Sequence, residues 1–412
     1  FPSVDAQPMP RNVVFVAPFP LETTMRFVRA VAKLPDVRLL GVVHTPPAGA
    51  DRKLFHDIVR VTDPLSGKDI LDATRVLQRR HGEVHRIVGI LEAIQVQIAE
   101  AREAFAIPGT SPRVAELFRD KSKMKAALRE AGLPVAKSAL LTNGDDARAF
   151  AARCGFPMVL KPPAGMGAKA TFRVNDLGAL LRSVSGLGTS RENPVLAEEF
   201  LKGREFSFET VTIDGKPRTH SISHYLPSCL DVLENDWIQW CCLLPREIGA
   251  EYNEARKIGF GAIEALGLDD GFTHMEWFQR EDGSLVIGEI AQRPPGANIT
   301  RMTGLAHDID PYRAWARAVV NGSADERWDR KYAVGCAYLR GQGQGRVSNV
   351  TGIHETYNAI KEVLVEADLP TVGKPKSDSY EGDGYVIVRH PDTEVVKRAL
   401  KIVVETMRIH YR

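Results

Sequence analysis

The chain has 412 residues, of which 44% are hydrophobic and 26% charged, with a formal net charge of +2 at pH 7. This length predicts more than one domain, and the composition excludes disordered, collagen-like and coiled-coil chains. The balanced charge gives no basic field for a nucleic acid or an anionic membrane, and no apolar run reaches the ~18 residues of a membrane span. The five cysteines include no C-x-x-C spacing, so we expect neither disulfides nor a zinc knuckle. We expect a reducing cytoplasm as the compartment.

The first part of the chain alternates strand and helix signals. Strands are predicted at residues 12–17, 36–43 and 85–91, and helices at 24–33, 67–80 and 95–105. Short strands separated by helix-length stretches predict βαβ units and a parallel sheet. The turn after the first strand has no G-x-G-x-x-G, which disfavours an enzyme that uses NAD or FAD.

A turn-rich break at residues 108–112 predicts a domain boundary. One helix is expected over 113–131, a strand over 135–141, a helix over 145–154, and a strand over 156–161 that runs into a loop at 162–170. A further helix at 175–184, paired strands around Gly203 and a helix at 252–266 follow. A hairpin at 272–293 and a helix at 311–320 come next, and residues 331–412 mix short strands with two helices.

The hairpin at 272–293 carries two facing carboxylates. Asp282-Gly283 is a favoured two-residue turn, and it places Glu276 opposite Glu289 with Cβ atoms about 5 Å apart. His274 and Arg293 lie on the same face, because strand side chains repeat every two residues. A bridging dication would offset the repulsion between the two carboxylates, but so would exposure to water on an open sheet face.

Three other segments carry candidate binding groups. Lys161 ends a strand and precedes Gly165 and Gly167, where backbone N–H groups could approach a phosphate, although the segment also suits an ordinary hairpin loop. Arg-Asp-Lys-Ser-Lys-Met-Lys at 119–125 starts a basic helix, which equally suits a solvated helix face. The Glu-Glu-Phe-Leu stretch at 198–201 could join two lobes and present backbone groups to an adenine.

The order and spacing of these four segments resemble the ATP-grasp superfamily. The stretch RDKSKMKAALREAGLPVAKS followed by GFPMVLKPPAGMGAKAT is especially similar, and the motifs cover residues 85–300. The resemblance implies an α/β (α+β lid) ATP-grasp fold, with an N-terminal parallel-sheet α/β domain and ATP bound between two lobes. We expect domain boundaries that give an N-terminal domain at 1–112, a linker helix and lid at 113–197, and a catalytic domain with its C-terminal extension at 198–412.

The resemblance also assigns roles to individual residues. Two lysines would contact the ATP phosphates from the two sides of the cleft, and the loop at 163–170, with its glycines, would form a flap over them. One glutamate would meet the adenine edge beside two residues that offer backbone groups, and another would hold the ribose. Two glutamates would bind Mg²⁺, with Mn²⁺ as an alternative, and an arginine would face the transferred phosphate. A histidine would lie near the substrate, with a place in the core or behind the metal ligands as the alternative. The lysines are Lys121 and Lys161, and the glycines of the flap are Gly165 and Gly167. Glu198 would meet the adenine beside Phe200 and Leu201, and Glu205 would hold the ribose. The Mg²⁺ ligands would be Glu276 and Glu289, the arginine is Arg293 and the histidine is His274.

One position departs from the family pattern. The usual Glu-x-Asn-x-Arg is Glu289-Ile-Ala-Gln-Arg293, so Ala291 replaces an asparagine ligand, and the number of metal ions stays open. Asn298 is a candidate for the missing oxygen. His81 and His85 have metal-like spacing, but Gly82 breaks the helix that would align them. His220 and His224 are about 13 Å apart in a strand, too far to share an ion.

By resemblance, the protein is an ATP-dependent carboxylate–amine ligase that forms an amide or peptide bond through an acyl-phosphate, with an amino acid among its substrates. A purine-type ligase or transformylase is the alternative, because such enzymes also carry alanine at the position of Ala291. A weakly catalytic nucleotide-binding module is a third reading. The expected partners are a small carboxylate and an amine, with a homodimer as a further expectation, but neither nucleic acid nor membrane.

Overall fold

The N-terminal part of the chain forms a small parallel sheet. The protein is described here from a computed structural model, which covers residues 10–164, 171–235 and 238–412. The elements of this part are β1 (Arg11–Val16), α1 (Glu22–Ala32), β2 (Val37–Val43), α2 (Gly49–Arg52), β3 (Asp57–Arg60), α3 (Gly67–His81), β4 (Val84–Val88) and α4 (Gln95–Ala104), with a 3-10 turn at Glu92–Ile94. The strand order is β3-β2-β1-β4, and all neighbours are parallel, which confirms the predicted parallel sheet.

Both faces of this sheet are covered, as in parallel sheets generally. Val13 and Phe15 of β1 pack into one apolar cluster with α1, whereas Val14 and Val16 pack into another with α3 and α4. The alternation follows from the two-residue period of strand side chains. The first cluster also includes Trp315 from a later helix, so the N-terminal sheet is packed onto the rest of the molecule.

The predicted helix over 113–131 is wrong in one respect, because the structure has two helices there. They are α5 (Pro112–Arg119) and α6 (Lys121–Glu130). Asp120 lies between them with extended backbone (φ −93°, ψ 108°), and its carboxylate accepts hydrogen bonds from the N–H groups of Ser122 and Lys123. This N-cap restarts the helix and makes Lys121 its first residue.

The second sheet is formed by residues 138–199, most of which lie in the predicted lid. Its elements are β5 (Ser138–Leu141), α7 (Gly144–Cys154), β6 (Met158–Lys161), β7 (Phe172–Val174), α8 (Leu177–Gly186) and β8 (Val195–Glu199), and the strand order is β5-β8-β6-β7. We call these four strands the lid sheet. β8 runs across the boundary expected between residues 197 and 198, and its pairing keeps the whole strand in the lid sheet.

The large sheet of the molecule, here called the main sheet, follows the lid. Its elements before residue 330 are β9 (Arg204–Ile213), β10 (Lys216–Leu226), α9 (Cys229–Glu234), β11 (Trp240–Leu244), α10 (Asn253–Leu266), β12 (Gly271–Gln279), β13 (Leu285–Ala291), α11 (Ile299–His307) and α12 (Pro311–Asn321), with a 3-10 turn at Ala250–Tyr252. The C-terminal elements are β14 (Ala333–Leu339), β15 (Val347–Thr351), α13 (Ile353–Ile360), β16 (Leu364–Asp368), β17 (Gly384–His390), α14 (Thr393–Thr406) and β18 (Arg408–Tyr411). The strand order is β13-β12-β9-β10-β11-β14-β17-β16, while β15 and β18 pair separately. The C-terminal part therefore extends the main sheet.

The predicted pairing of two strands around Gly203 is wrong. β8 pairs with β5 and β6 in the lid sheet, whereas β9 pairs with β10 and β12 in the main sheet. Gly203 lies in the crossover between the two sheets with φ +149°, and a Cβ there would come within 2.1 Å of the carbonyl oxygen of Gln279. A glycine is needed because the crossover passes directly against β12.

The β12–β13 hairpin has the predicted central register. Glu276 lies opposite Glu289, and His274 lies opposite Ala291. The predicted two-residue turn is wrong, however. Residues 280 and 284 are joined by a backbone hydrogen bond of 2.9 Å, so the turn has three residues. Gly288 then forms a bulge that restores the pairing of the two glutamates.

Among the residues that the structure describes, no helix is both long and apolar enough to cross a membrane. The predicted glycine loop lies largely at 165–170, so Gly165 and Gly167 are outside the described residues.

Candidate active site

A cleft of about 190 Å³ is lined by residues of both the lid sheet and the main sheet. Of the twelve predicted site residues, the ten that are described all line it. They are Lys121, Lys161, Glu198, Phe200, Leu201, Glu205, His274, Glu276, Glu289 and Arg293. Residues up to 172 positions apart in the sequence therefore meet in one cleft, because α6, the lid sheet and the β12–β13 hairpin converge there.

The two facing glutamates of the hairpin differ in their partners. Glu289 has the ammonium groups of Lys121 and Lys161 at 3.3 and 4.0 Å. Burial alone would raise the pKa of Glu289, but these lysines hold it well below the ordinary value. Glu276 has only the His274 imidazole within 4 Å, at 3.7 Å, among the charged groups of the described chain. The pair thus retains carboxylate oxygens that could bind a hard cation.

Lys121 and Lys161 approach the cleft from different elements. The backbone N–H of Lys121 donates to the carbonyl of Pro163 at 3.0 Å, which fixes the start of α6 against the loop after β6. The ammonium of Lys161 lies 2.8 Å from Glu198. Burial would lower the pKa of Lys161, but Glu198 and Glu289 raise it above its ordinary value, so this lysine stays charged.

Lys125 supports the cleft residue Glu198, and the sequence did not single it out. Its side chain is only 1% exposed, its ammonium lies 3.3 Å from Glu198, and it also donates to the carbonyl of Gly288. Burial lowers its pKa, and Glu198 opposes that shift. The signal was available: Lys121 and Lys125 are four residues apart and share a helix face, whereas Lys123 points outward and pairs with Glu116.

Glu198 forms ion pairs with two lysines, and the adenine contact that the family resemblance implies for it stays a prediction. Its two oxygens lie 3.3 Å from the ammonium of Lys125 and 2.8 Å from that of Lys161. Lys161 lies diagonally from Glu198 on the same face of the lid sheet, since Val159 is the direct partner of Glu198. Burial raises the pKa of Glu198, but the two lysines more than offset that effect and lower the pKa below its ordinary value. The carboxylate is therefore ionised.

The crossover at Phe200 and Leu201 presents unused backbone groups to the cleft. The N–H of Phe200 donates to Pro157 at 3.2 Å. In the described chain, the Phe200 carbonyl and the Leu201 N–H have no hydrogen-bond partner. The guanidinium of Arg173 lies 3.9 Å from the centre of the Phe200 ring, which holds that side chain in place.

Arg293 is oriented by a carboxylate from the N-terminal part. Its Nε donates to Glu92 at 2.9 Å, and the other oxygen of Glu92 lies 3.3 Å from Arg119. Glu92 is 7% exposed and follows β4, so the end of the parallel sheet reaches the cleft. Neither spacing nor pattern singles out Glu92, because its partners lie 27 and 201 residues away.

His274 is held by residues on two neighbouring strands. Its Nδ1 lies 2.9 Å from Glu209, and its Nε2 lies 3.4 Å from the Tyr225 hydroxyl. Burial lowers the pKa of His274, but Glu209 and Glu276 more than offset that effect and raise it to about 9. The imidazole therefore lies beside Glu276, with Nε2 3.7 Å from the carboxylate, and a role of His274 near the substrate stays a prediction.

Glu205 is buried where β9 approaches α9. One of its oxygens accepts the Cys229 N–H at 2.9 Å, and its pKa is raised well above the ordinary value by burial and by Glu276. Tyr380 contributes to the same cleft from the C-terminal part and packs edge-on against Trp240, with ring centroids 4.8 Å apart. Tyr380 is thus a third residue, after Lys125 and Glu92, that the sequence did not indicate.

The weaker candidates remain outside the cleft. Asn298 caps α11 with φ +57° and is not among the lining residues. Gly82 ends α3, and His81 pairs with Asp57 while His85 accepts the Asn12 N–H. Within the ranges that the structure covers, no cluster of three or more His, Cys, Asp or Glu side chains is arranged to hold a metal ion.

Comparisons with known proteins agree with this geometry. The model of the ATP-grasp domain matches residues 126–302. The chain is 28% identical over 251 residues to an L-arginine-specific L-amino acid ligase of Bacillus subtilis, a match that covers 60% of each protein. It is 26% identical over 281 residues to a D-alanine–D-alanine ligase of Neisseria meningitidis, covering 67% of this chain and 84% of that protein.

The fold comparison points the same way. The crystal structure of an L-amino acid ligase from Bacillus licheniformis superposes with a TM-score of 0.78 at 18% identity, covering 98% of this chain and all of that one. N5-carboxyaminoimidazole ribonucleotide synthetase from Thermotoga maritima gives a TM-score of 0.70 at 18% identity, with 98% and 100% covered. The matched domain, the relatives and the fold agree with one another: residues 126–302 are similar to an ATP-grasp domain, and the chain has the fold of the L-amino acid ligase and the synthetase described above.

Proposed function

We propose that the protein is an ADP-forming ligase that joins a carboxylate to an amine, with an amino acid among its substrates. The observation that supports this most directly is the single cleft that gathers Lys121, Lys161 and Arg293 against Glu276 and Glu289. Three cations can neutralise transferring phosphates, and two carboxylates can hold the accompanying dication. The closed setting between two sheets would limit hydrolysis of an activated intermediate.

The proposed reaction has two steps. A carboxylate oxygen of the first substrate attacks the γ-phosphorus of ATP, the bond to the bridging oxygen breaks, and ADP leaves. The amine nitrogen of the second substrate then attacks the acyl carbon, phosphate leaves with the electrons of the acyl–oxygen bond, and the nitrogen loses a proton. Lys121 and Lys161 would bind the phosphates, and Arg293, held by Glu92, would face the phosphoryl group during both steps.

The nucleotide base would lie against the crossover between the sheets. The free Phe200 carbonyl can accept from the adenine amino group, and the free Leu201 N–H can donate to a ring nitrogen. Glu198 would then act through Lys161, which it holds in place, and Glu205 would face the ribose. The glycines at 165 and 167 retain their proposed role in a flap over the phosphates.

Mg²⁺ fits the facing glutamates, and Mn²⁺ would suit the same oxygen donors. Glu276 and Glu289 would hold the ion, which when bound would neutralise charge on the phosphates. Glu276 has no lysine or arginine within 4 Å among the described residues, so one carboxylate is free to take a cation. Ala291 supplies no ligand, and the number of ions remains a question for measurement.

The proposed substrate class rests on the relatives. Both of the curated relatives described above are named as ligases of amino acids, although the match spans only 60% of the arginine-specific enzyme. A purine-type substrate is the second candidate, favoured by Ala291 and by the fold of the ribonucleotide synthetase. The five cysteines are free, which supports the reducing cytoplasm that we propose as the compartment. The domain division and the homodimer remain proposals.

A phosphate-release assay tests the proposal. ATP and Mg²⁺ would be incubated with the protein and with pairs of amino acids, and in parallel with purine ribotides. We expect phosphate release only with amino-acid pairs. Release with ribotides alone would favour the second candidate, and ATP binding without release under any pair would contradict a ligase.

Glu276→Gln tests whether Glu276 is a ligand of the metal ion, because it removes the charge and keeps the size of the side chain. We expect turnover to fall by roughly 100-fold or more, since a neutral amide binds a hard dication poorly. Glu254→Gln, on an exposed face of α10, makes the same change away from the cleft and should leave turnover unchanged. Normal turnover in the Glu276 variant would remove this residue from the metal site.

A further inference from the structure

A second, smaller cavity lies between the N-terminal sheet and the main sheet. Its walls come from β4, α4, the start of β12 and α12, and its volume is about 60 Å³. On a scale of ~10–15 Å³ for each water, that is room for about four to six waters, or for one small polyatomic ion. Of the described residues, only Arg293 lines both this cavity and the reaction cleft.

Two arginines face this cavity without a carboxylate partner. Nε of Arg102 donates to the carbonyl of Ile87 at 2.8 Å, and Nη1 of Arg86 donates to the carbonyl of His85 at 2.8 Å. In the described chain no acidic oxygen lies within 4 Å of either guanidinium. The remaining guanidinium N–H groups of both side chains therefore have no protein acceptor.

Several other arginines of the described chain have carboxylate partners. Arg293 binds Glu92, Arg173 binds Glu234, and Arg317 lies 3.3 Å from Glu326. Arg86 and Arg102 are both half-buried, so part of the water around each guanidinium is removed and no carboxylate replaces its charge compensation. Two such groups on one cavity are an arrangement that an anion would stabilise.

The electrostatics of the cavity agree with this geometry. Burial and then the charge of Arg86 lower the pKa of Arg102 to about 10. Burial also lowers the pKa of Arg86, with Arg11 adding to the effect and Asp270 opposing it. Asp270 lines the cavity, but its carboxylate accepts the N–H of Asp214 at 2.8 Å and forms no ion pair with either arginine.

Neutral polar groups complete the wall. Gln292 donates to the Thr110 hydroxyl, and both side chains line the cavity beside the two arginines. The Gln292 amide oxygen is buried without a hydrogen-bond partner in the described chain, and because it is an acceptor, the donors for an anion are the two guanidinium groups. An oxyanion with several acceptor oxygens could use both guanidinium forks, since planar N–H pairs match carboxylate and phosphate oxygens.

We propose that this cavity is a binding site for one small oxyanion, held by Arg86 and Arg102 and separate from the reaction cleft. The shared chemistry is a compact group with two or more acceptor oxygens. Inorganic phosphate and a short carboxylate both have that chemistry, and the cavity is too small for a nucleotide.

Calorimetric titration of the full chain tests the site. Phosphate, sulfate and acetate would each be titrated in a buffer of weakly binding anions. We expect one binding event, weakened about tenfold or more in Arg86→Gln and in Arg102→Gln, because each loses a charge-assisted contact. Arg79→Gln, a matched change on an exposed face of α3, should bind as the unaltered protein does.

Lys161→Ala distinguishes this site from the reaction cleft. Binding that persists in this variant and is lost in the Arg86 variant supports the proposal, and binding that shows the reverse pattern overturns it. The absence of binding by all three anions at millimolar concentration also overturns it. Thermal melting verifies that each variant is folded, and Arg86→Gln carries the test if Arg102→Gln fails to fold. The affinities measured for phosphate and for acetate then show whether the site prefers inorganic phosphate or a short carboxylate.

Discussion

Lys125→Met is expected to destabilise the protein strongly, although the residue was first identified only as part of a basic helix. The substitution keeps an unbranched side chain of similar length but removes a buried ammonium 3.3 Å from Glu198. Removing one partner of a buried ion pair costs ~3–5 kcal/mol. Glu198 keeps Lys161 at 2.8 Å, so the lower end, about 3 kcal/mol, is expected here.

Thermal melting followed by circular dichroism measures this effect. For a cooperative unit of 150–250 residues, about 3 kcal/mol corresponds to a Tm roughly 6–12 °C lower. Lys123→Met is the matched control on the same helix, because the Lys123–Glu116 pair is exposed and such pairs contribute ~0–1 kcal/mol. The double variant Lys125→Met/Glu198→Gln removes both charges and should recover part of the loss. A Tm for Lys125→Met equal to that of Lys123→Met would refute the reasoning.

Three further predictions concern the cleft and its supports. Lys161→Ala should weaken ATP binding by about 10- to 100-fold in a fluorescence titration, whereas exposed Lys202→Ala should not; equal affinities would remove Lys161 from the site. Gly203→Ala should destabilise by roughly 2–4 kcal/mol in urea unfolding, because its Cβ would meet the Gln279 carbonyl at 2.1 Å, and Gly186→Ala, with open space, should not. Burial and then Arg256 lower the pKa of His220 to about 4, so the unfolded chain takes up a proton first and stability should fall between about pH 6.5 and 4. In His220→Gln, which keeps an acceptor for Arg256, Tm should fall less between about pH 6.5 and 4 than in the unaltered protein. The same pH dependence of Tm in both proteins would contradict the role given to His220.

Much of the fold could be predicted because it rests on local patterns. Strand and helix periods along the first hundred residues predicted a parallel sheet, and the chain forms one. The hairpin prediction was right for Glu276 and Glu289 but for an incomplete reason. A three-residue turn shifts the register by one, and the bulge at Gly288 shifts it back. Alternation alone cannot reveal two compensating shifts, because each leaves the local sequence pattern unchanged.

The errors have a common physical origin. The segments on either side of Gly203 are equally rich in β-forming residues. Their local sequence pattern does not show that the two strands belong to different sheets. The break between α5 and α6 depends on one carboxylate that caps the following turn, within a stretch of good helix formers. In both places a single residue overrides the propensity of its neighbours.

By itself the sequence determined which chemical groups the protein has and their order along the chain. That order was enough to indicate a nucleotide cleft with paired glutamates and phosphate-binding lysines. Only the tertiary structure decided which charges neutralise one another. Glu198 lies between Lys125 and Lys161, and Glu92 reaches across from the N-terminal sheet to orient Arg293. Electrostatic energy depends on distance and burial in space, and neither quantity can be read from separation along the chain.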